Sequence, residues 1–115
     1  MTTTSWTQYE INQPLSRVIC FTHTTTGDAA ENAVTLAGRM EEGIVFSFVV
    51  ETNNAYVNFD ATAVASATSN RDGVFTPANS GYSQETLRIR ITNRISVINA
   101  TAGQNVRIRG VIWGR

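Results

Sequence analysis

Short runs rich in apolar, β-branched and aromatic residues recur along the whole chain. They are Trp6–Ile11, Arg17–Thr24, Ala33–Ala37, Ile44–Val50, Ala55–Phe59, Thr62–Ala67, Thr86–Thr92, Ile95–Asn99 and Val106–Trp113. Their length and their wealth of Val, Ile, Thr and aromatic residues predict strands, with clean period-two alternation in Leu87–Ile91 and Val106–Arg109 and a continuous apolar centre in Arg17–Thr24. Turn chemistry falls between them at Thr26-Gly27-Asp28, Glu42-Gly43, Asn53-Asn54, Asp72-Gly73, Asn79-Ser80-Gly81 and Ala102-Gly103-Gln104-Asn105. Helical periodicity is confined to Asp28–Arg39, where Val34 and Thr35 interrupt it and leave room for one turn. The expected fold is all-β: an antiparallel β-sandwich or a jelly-roll-like small barrel of about 8–9 short strands. Residues 1–115 read as one domain, with residues 1–12 a candidate N-terminal arm.

The faces of these strands carry most of the functional information. In Leu87–Ile91 and Val106–Arg109 the aliphatic residues share one face, so Arg88, Arg90, Arg107 and Arg109 share the other and point outward if the aliphatics face the core. Ile44–Val50 is apolar on both faces apart from Ser47, which puts Val45 and Val49 on a second face that needs cover. A loop of the same chain, the N-terminal arm or another subunit could supply it. Trp6 and Tyr9 stand three positions apart, so a plain strand would direct them to opposite faces. An arm laid between two subunits would bury both. An edge strand closing the chain's own sandwich is the alternative. With Trp113 near the C-terminus, these residues form the candidate protein interface.

Composition sharpens the picture. Charged residues are 16% of the chain, against about 25% in a typical domain. The formal net charge is zero, yet residues 1–70 hold seven acids and two bases (−5) while residues 71–115 hold seven bases and two acids (+5). Either the halves interleave and neutralise each other, or complementary patches meet between subunits. Every base is Arg: either for interfaces, because its planar fork grips carboxylates and stacks on aromatics, or through the codon bias of a GC-rich genome. Cys20 is the only cysteine and sits among Val18, Ile19 and Phe21, as a buried small hydrophobe would. The start Met-Thr-Thr-Thr-Ser-Trp lacks the basic and apolar regions of a signal peptide, and no apolar run approaches a membrane span. Folding in a cytoplasm is expected, with no membrane partner.

Catalytic chemistry is not expected. His23 is the only histidine, and three positions on one strand separate it from Cys20, so the two face opposite ways. Glu41, Glu42 and Asp60 read as loop acids, no loop has calcium-ligand spacing, and no phosphate-cradling glycine loop is present. No cofactor or metal is implied. The arginine face beside Trp113 or Tyr82 could track nucleic acid, but a domain of zero net charge lacks the usual basic footprint, so nucleic acid is not the expected partner. Asn99-Ala100-Thr101 matches a glycosylation acceptor pattern by chance.

The second half resembles small virion accessory proteins of tailed phages, of the head-decoration or capsid-cement type. Tyr56-Val57-Asn58-Phe59-Asp60-Ala61-Thr62, the small-residue stretch to Asn70-Arg71-Asp72-Gly73, Leu87–Ile91, and Ile95–Thr101 with Val106–Trp113 carry the resemblance. Ala61 stands where such proteins often have a glycine. The resemblance implies a structural virion protein that binds a capsid lattice as an oligomer, a trimer before a dimer. Its partner would be the major capsid protein or another virion protein. The alternative is a glycan- or receptor-binding module of a phage tail or fibre, displayed through exposed aromatics such as Tyr56, Tyr82 and Trp113.

Overall fold

The computed structural model describes residues 2–3, 6–13, 16–34, 45–64, 73–87 and 94–114. Ten strands and one helical turn follow in order: β1 (Thr2–Thr3), β2 (Thr7–Gln13), β3 (Ser16–Thr24), β4 (Glu31–Val34), β5 (Val45–Glu51), β6 (Ala55–Phe59), β7 (Val74–Thr76), β8 (Ser80–Ser83), α1 (Gln84–Leu87), β9 (Arg94–Asn99) and β10 (Arg107–Gly114).

The strand pairs are nested. β3 pairs with β10, β4 with β9, β5 with β8 and β6 with β7, all antiparallel. The chain from β3 to β10 is thus one long hairpin folded back at β6–β7. Rolling that hairpin brings β10 against β5 and β9 against β6, which completes two sheets. One sheet runs β1-β4-β9-β6-β7 and the other β2-β3-β10-β5-β8. Eight strands arranged this way form a jelly roll. β1 and β2 add one strand to an edge of each sheet, β1 parallel to β4 and β2 antiparallel to β3.

The core lies between the sheets. Phe46, Phe48 and Val50 of β5 alternate inward and meet Ile108 and Ile112 of β10, Ile95 and Val97 of β9, and Val57 of β6. Phe46 and Phe48 close on Phe59, with ring centroids 4.7 and 5.9 Å away. Each such side chain contributes about 1.5–3 kcal/mol on burial. β9 is the strand covered on both faces. Ile95 and Val97 enter the core, while Ile98 packs outward under Ala30, Ala63 and Tyr56. Buried Ser96 accepts the Ala63 N–H at 3.0 Å, so the cover over β9 comes from the chain's own 60–64 loop.

Several expectations need correction. Of the two readings of the N-terminal residues, the described ones take the edge-strand reading: Thr2–Thr3 pair in one sheet, Thr7–Gln13 in the other, and Trp6 is core, at 4% exposure. Residues 62–64 are not a strand. Asp60 takes a positive φ of 59°, its Oδ1 accepts the Arg94 N–H at 3.1 Å, and the loop is pinned there. Residues 86 and 87 are helical instead of extended. Ser83 caps that turn by accepting the Thr86 N–H at 3.4 Å, with Glu85 in the first turn. Ser80 and Gly81 belong to β8 and the turn lies earlier, where Asn79 has φ 64° and Ser80 N–H donates to the Pro77 carbonyl at 3.2 Å. The expected Thr35–Ala37, Ile44, Ala65–Ala67 and Arg88–Thr92 lie outside the described residues. Among the described residues no helix is long and apolar enough to cross a membrane.

Candidate protein-binding face

The outward face of the β2-β3-β10-β5-β8 sheet is ordered in rows by the register. At one end Ile11 faces Val18, Val18 faces Trp113 and Trp113 faces Val45, which makes an apolar row across four strands. Ile11 is 44% exposed, and Val18, Trp113 and Val45 are half-buried. The next row sets Tyr9 opposite Cys20, then Val111, Ser47 and Ser83. A third holds Thr7, Thr22, Arg109, Val49 and Gly81, and a fourth ends the face with Thr24, Arg107 and Glu51. One end of the face is therefore apolar and the other charged.

The charged end carries an open groove of about 520 Å³ over β3, β10 and β5. Cys20, Val49 and Val111 give it apolar walls, Thr22 and Ser47 add hydroxyls, and Arg107 and Arg109 stand at its rim. Gly110 lies in its floor, and a Cβ there would run into the Ser47 carbonyl oxygen. On the other side of β5 a Cβ on Gly81 would run into the Phe48 carbonyl oxygen. The two glycines let β10 and β8 close on β5 at the level of Phe48.

Glu51 serves both arginines. Its Oε1 lies 3.0 Å from Arg109 Nε and 3.9 Å from Arg107 Nε. That oxygen is shielded from solvent yet accepts no aligned hydrogen bond, so the contact is an ion pair by distance and not by direction. Both arginine side chains are more than half exposed, at 52% and 55%, so the pairing contributes at most about 1 kcal/mol. The acidic and basic halves of the chain interleave at this point.

His23 lies on the inner side of β3 and Cys20 on the outer, as their spacing requires. His23 stacks on Trp6 with centroids 5.0 Å apart and planes within 2°, and its Nε2 is 3.2 Å from Glu31 Oε1. Glu31 is also held by Thr26, whose N–H and Oγ1 donate at 2.7 and 2.9 Å. Buried Asn99 knots this end of the roll. Its Oδ1 accepts from Thr25 Oγ1 at 2.6 Å, and its Nδ2 donates to the Gly27 carbonyl at 3.0 Å and Asn105 Oδ1 at 3.1 Å. A side chain 2% exposed and so engaged is no glycan acceptor. Among the described residues no three His, Cys, Asp or Glu side chains gather as metal ligands.

Of the residues singled out from sequence, Val45, Val49, Arg107, Arg109 and Trp113 share this outer face, and Tyr9 takes its register position there. Trp6 does not, because it is consumed by the chain's own core and offers nothing to a neighbour. Arg88 and Arg90 lie outside the described residues. Ile11, Val18, Val111 and Glu51 were missed. Period-two alternation marks their faces, but only register makes them neighbours. Tyr56 and Tyr82 gather elsewhere, on Phe75: Tyr56 meets its ring edge-on at 5.4 Å, and the Tyr82 hydroxyl donates to its carbonyl at 3.4 Å.

The nested pairing and the filled interior define a jelly-roll domain with two added N-terminal strands. No protein-family model matches the chain, and no curated protein sequence does. Among solved structures it is similar to the cupin domain of Cnp3 from Schizosaccharomyces pombe, with a TM-score of 0.53 at 12% identity. The match covers 96% of this chain and spans 60% of the length of that one. At that identity the likeness concerns the fold alone.

Proposed function

We propose that this chain is a non-catalytic structural protein that assembles with other protein surfaces, its own copies included, through the outer face of the β2-β3-β10-β5-β8 sheet. The observation that carries this is the Ile11–Val18–Trp113–Val45 row, large apolar side chains lined up across four strands on the side away from the core. An antiparallel sheet usually turns polar residues to water, and a contiguous apolar patch marks an interaction surface. Jelly rolls serve viral capsids, lectins and cupins alike, so the surface has to decide between functions. The resemblance to phage decoration proteins supplies the setting: a virion, with a homotrimer cementing a capsid lattice and the major capsid protein as partner.

Sedimentation at micromolar concentration tests the assembly. The wild type is expected to run as an oligomer, and Val45→Asp combined with Trp113→Ala as a folded monomer with an unchanged circular dichroism spectrum. A monomeric wild type, or an oligomer indifferent to both substitutions, overturns the role of this row. A glycan-binding role on a tail or fibre would rest on Phe75, which is 44% exposed beside Tyr56. Sugar-dependent changes confined to Phe75 and Tyr56 resonances would favour it.

A further inference from the structure

We propose that the groove at the charged end of the same face docks a short segment of a partner protein presenting one carboxylate flanked by apolar side chains. The proposal rests on the protein-binding role of this face and names what it binds.

Shape argues first. About 520 Å³ accommodates two or three side chains, yet the groove is open along a sheet surface. Small-molecule sites enclose most of their ligand. A peptide segment can place side chains in such a groove and leave its backbone in water.

Charge complementarity argues second. Arg107 and Arg109 bring two positive charges, and Glu51 is the one acid that either meets among the described residues. One net positive charge remains beside apolar walls of Val49 and Val111. A monoanion matches it, whereas the nearby Glu51 carboxylate repels a dianionic phosphate. Glu51 approaches both arginines from the Nε side, and both side chains are more than half exposed, so their two-pronged Nη ends suit a second carboxylate held by two parallel hydrogen bonds. Apolar neighbours in the segment would cover Val49 and Val111 and lower the dielectric around that pair, strengthening it.

The test uses the full chain, ¹⁵N-labelled, and three probes: a blocked five-residue peptide of leucine and valine with a central aspartate, the same peptide with asparagine, and pentanoate. The aspartate peptide is expected to shift the Gly110, Thr22 and Val49 amides and the Arg109 Nε–H, with the asparagine peptide about ten-fold weaker. Arg107→Gln with Arg109→Gln should abolish the response while the chain stays folded. Equal response to the two peptides, no response to either, or pentanoate acting as strongly as the peptide overturns the proposal. So does an oligomer that dissociates in the double arginine variant while the wild type ignores the peptides, because a second copy then fills the groove. Sedimentation of the same samples reads the apolar row separately. A monomer whose groove binds the aspartate peptide keeps this inference and removes only the assembly through that row.

Discussion

Glycine is used at Gly110 and Gly81 for what it lacks. Neither has a positive φ, and both sit inside strands, where glycine ordinarily weakens pairing. The reason is the approach of β10 and β8 to β5, where any Cβ meets the carbonyl oxygen of Ser47 or Phe48. Backbone cannot swing aside as a side-chain tip can. Gly110→Ala is therefore expected to destabilise the fold by about 1–3 kcal/mol, the scale of an overpacked site. Urea denaturation reads this as a lowered midpoint at unchanged slope. An alanine variant as stable as wild type would mean that β10 does not approach β5 so closely.

At the scale of elements, the N-terminal strands act as a clasp. β1 edges one sheet and β2 the other, and Trp6, just ahead of β2, packs against His23 and Phe21. Removing a buried tryptophan costs about 3–5 kcal/mol, a large share of the 5–15 kcal/mol that holds a domain folded. A chain lacking residues 1–12 is expected to lose cooperative thermal unfolding altogether, and Trp6→Ala alone to keep it at a lower midpoint. A truncated chain that melts like the full-length protein would return Trp6 to the role of an external arm.

For the whole molecule, the nested hairpin mixes the two ends of the chain. β9 and β10 come from the basic half, and each lies between strands of the acidic half, β9 between β4 and β6 and β10 between β3 and β5. Among the described residues, Glu51 of the acidic half lies against Arg107 and Arg109 of the basic half, so the two halves meet within one body at this point. Fragments 1–70 and 71–115 should each stay unfolded alone and fold when mixed, because neither half owns a complete sheet. Circular dichroism of the mixture checks it. Raising salt from 0.05 to 0.5 M (about) should slow the encounter of the opposite charges, an effect that screening produces over a Debye length of about 10 Å at 0.1 M. A fragment that folds by itself would contradict the interleaved topology.

Local pattern determined the class of this protein. Short runs rich in Val, Ile and aromatic residues at Arg17–Thr24, Ala55–Phe59, Ile95–Asn99 and Val106–Trp113 marked strands within a residue or two, because strand propensity and side-chain period are properties of consecutive residues. The opposed faces of Cys20 and His23 and the outward turn of Arg107 and Arg109 were legible for the same reason. Pattern was silent on pairing. Gly81 looked like a turn residue, since nothing nearby in sequence shows that Phe48 lies across the strand gap. Trp6 looked available to a neighbour, since its cover, Phe21 and His23, arrives from β3. The candidate binding face is likewise tertiary. Ile11, Val18, Trp113 and Val45 are spread across nearly the full length of the chain, and only the register of four strands sets them side by side, because hydrogen-bonded backbones and a buried opposite face permit no other alignment.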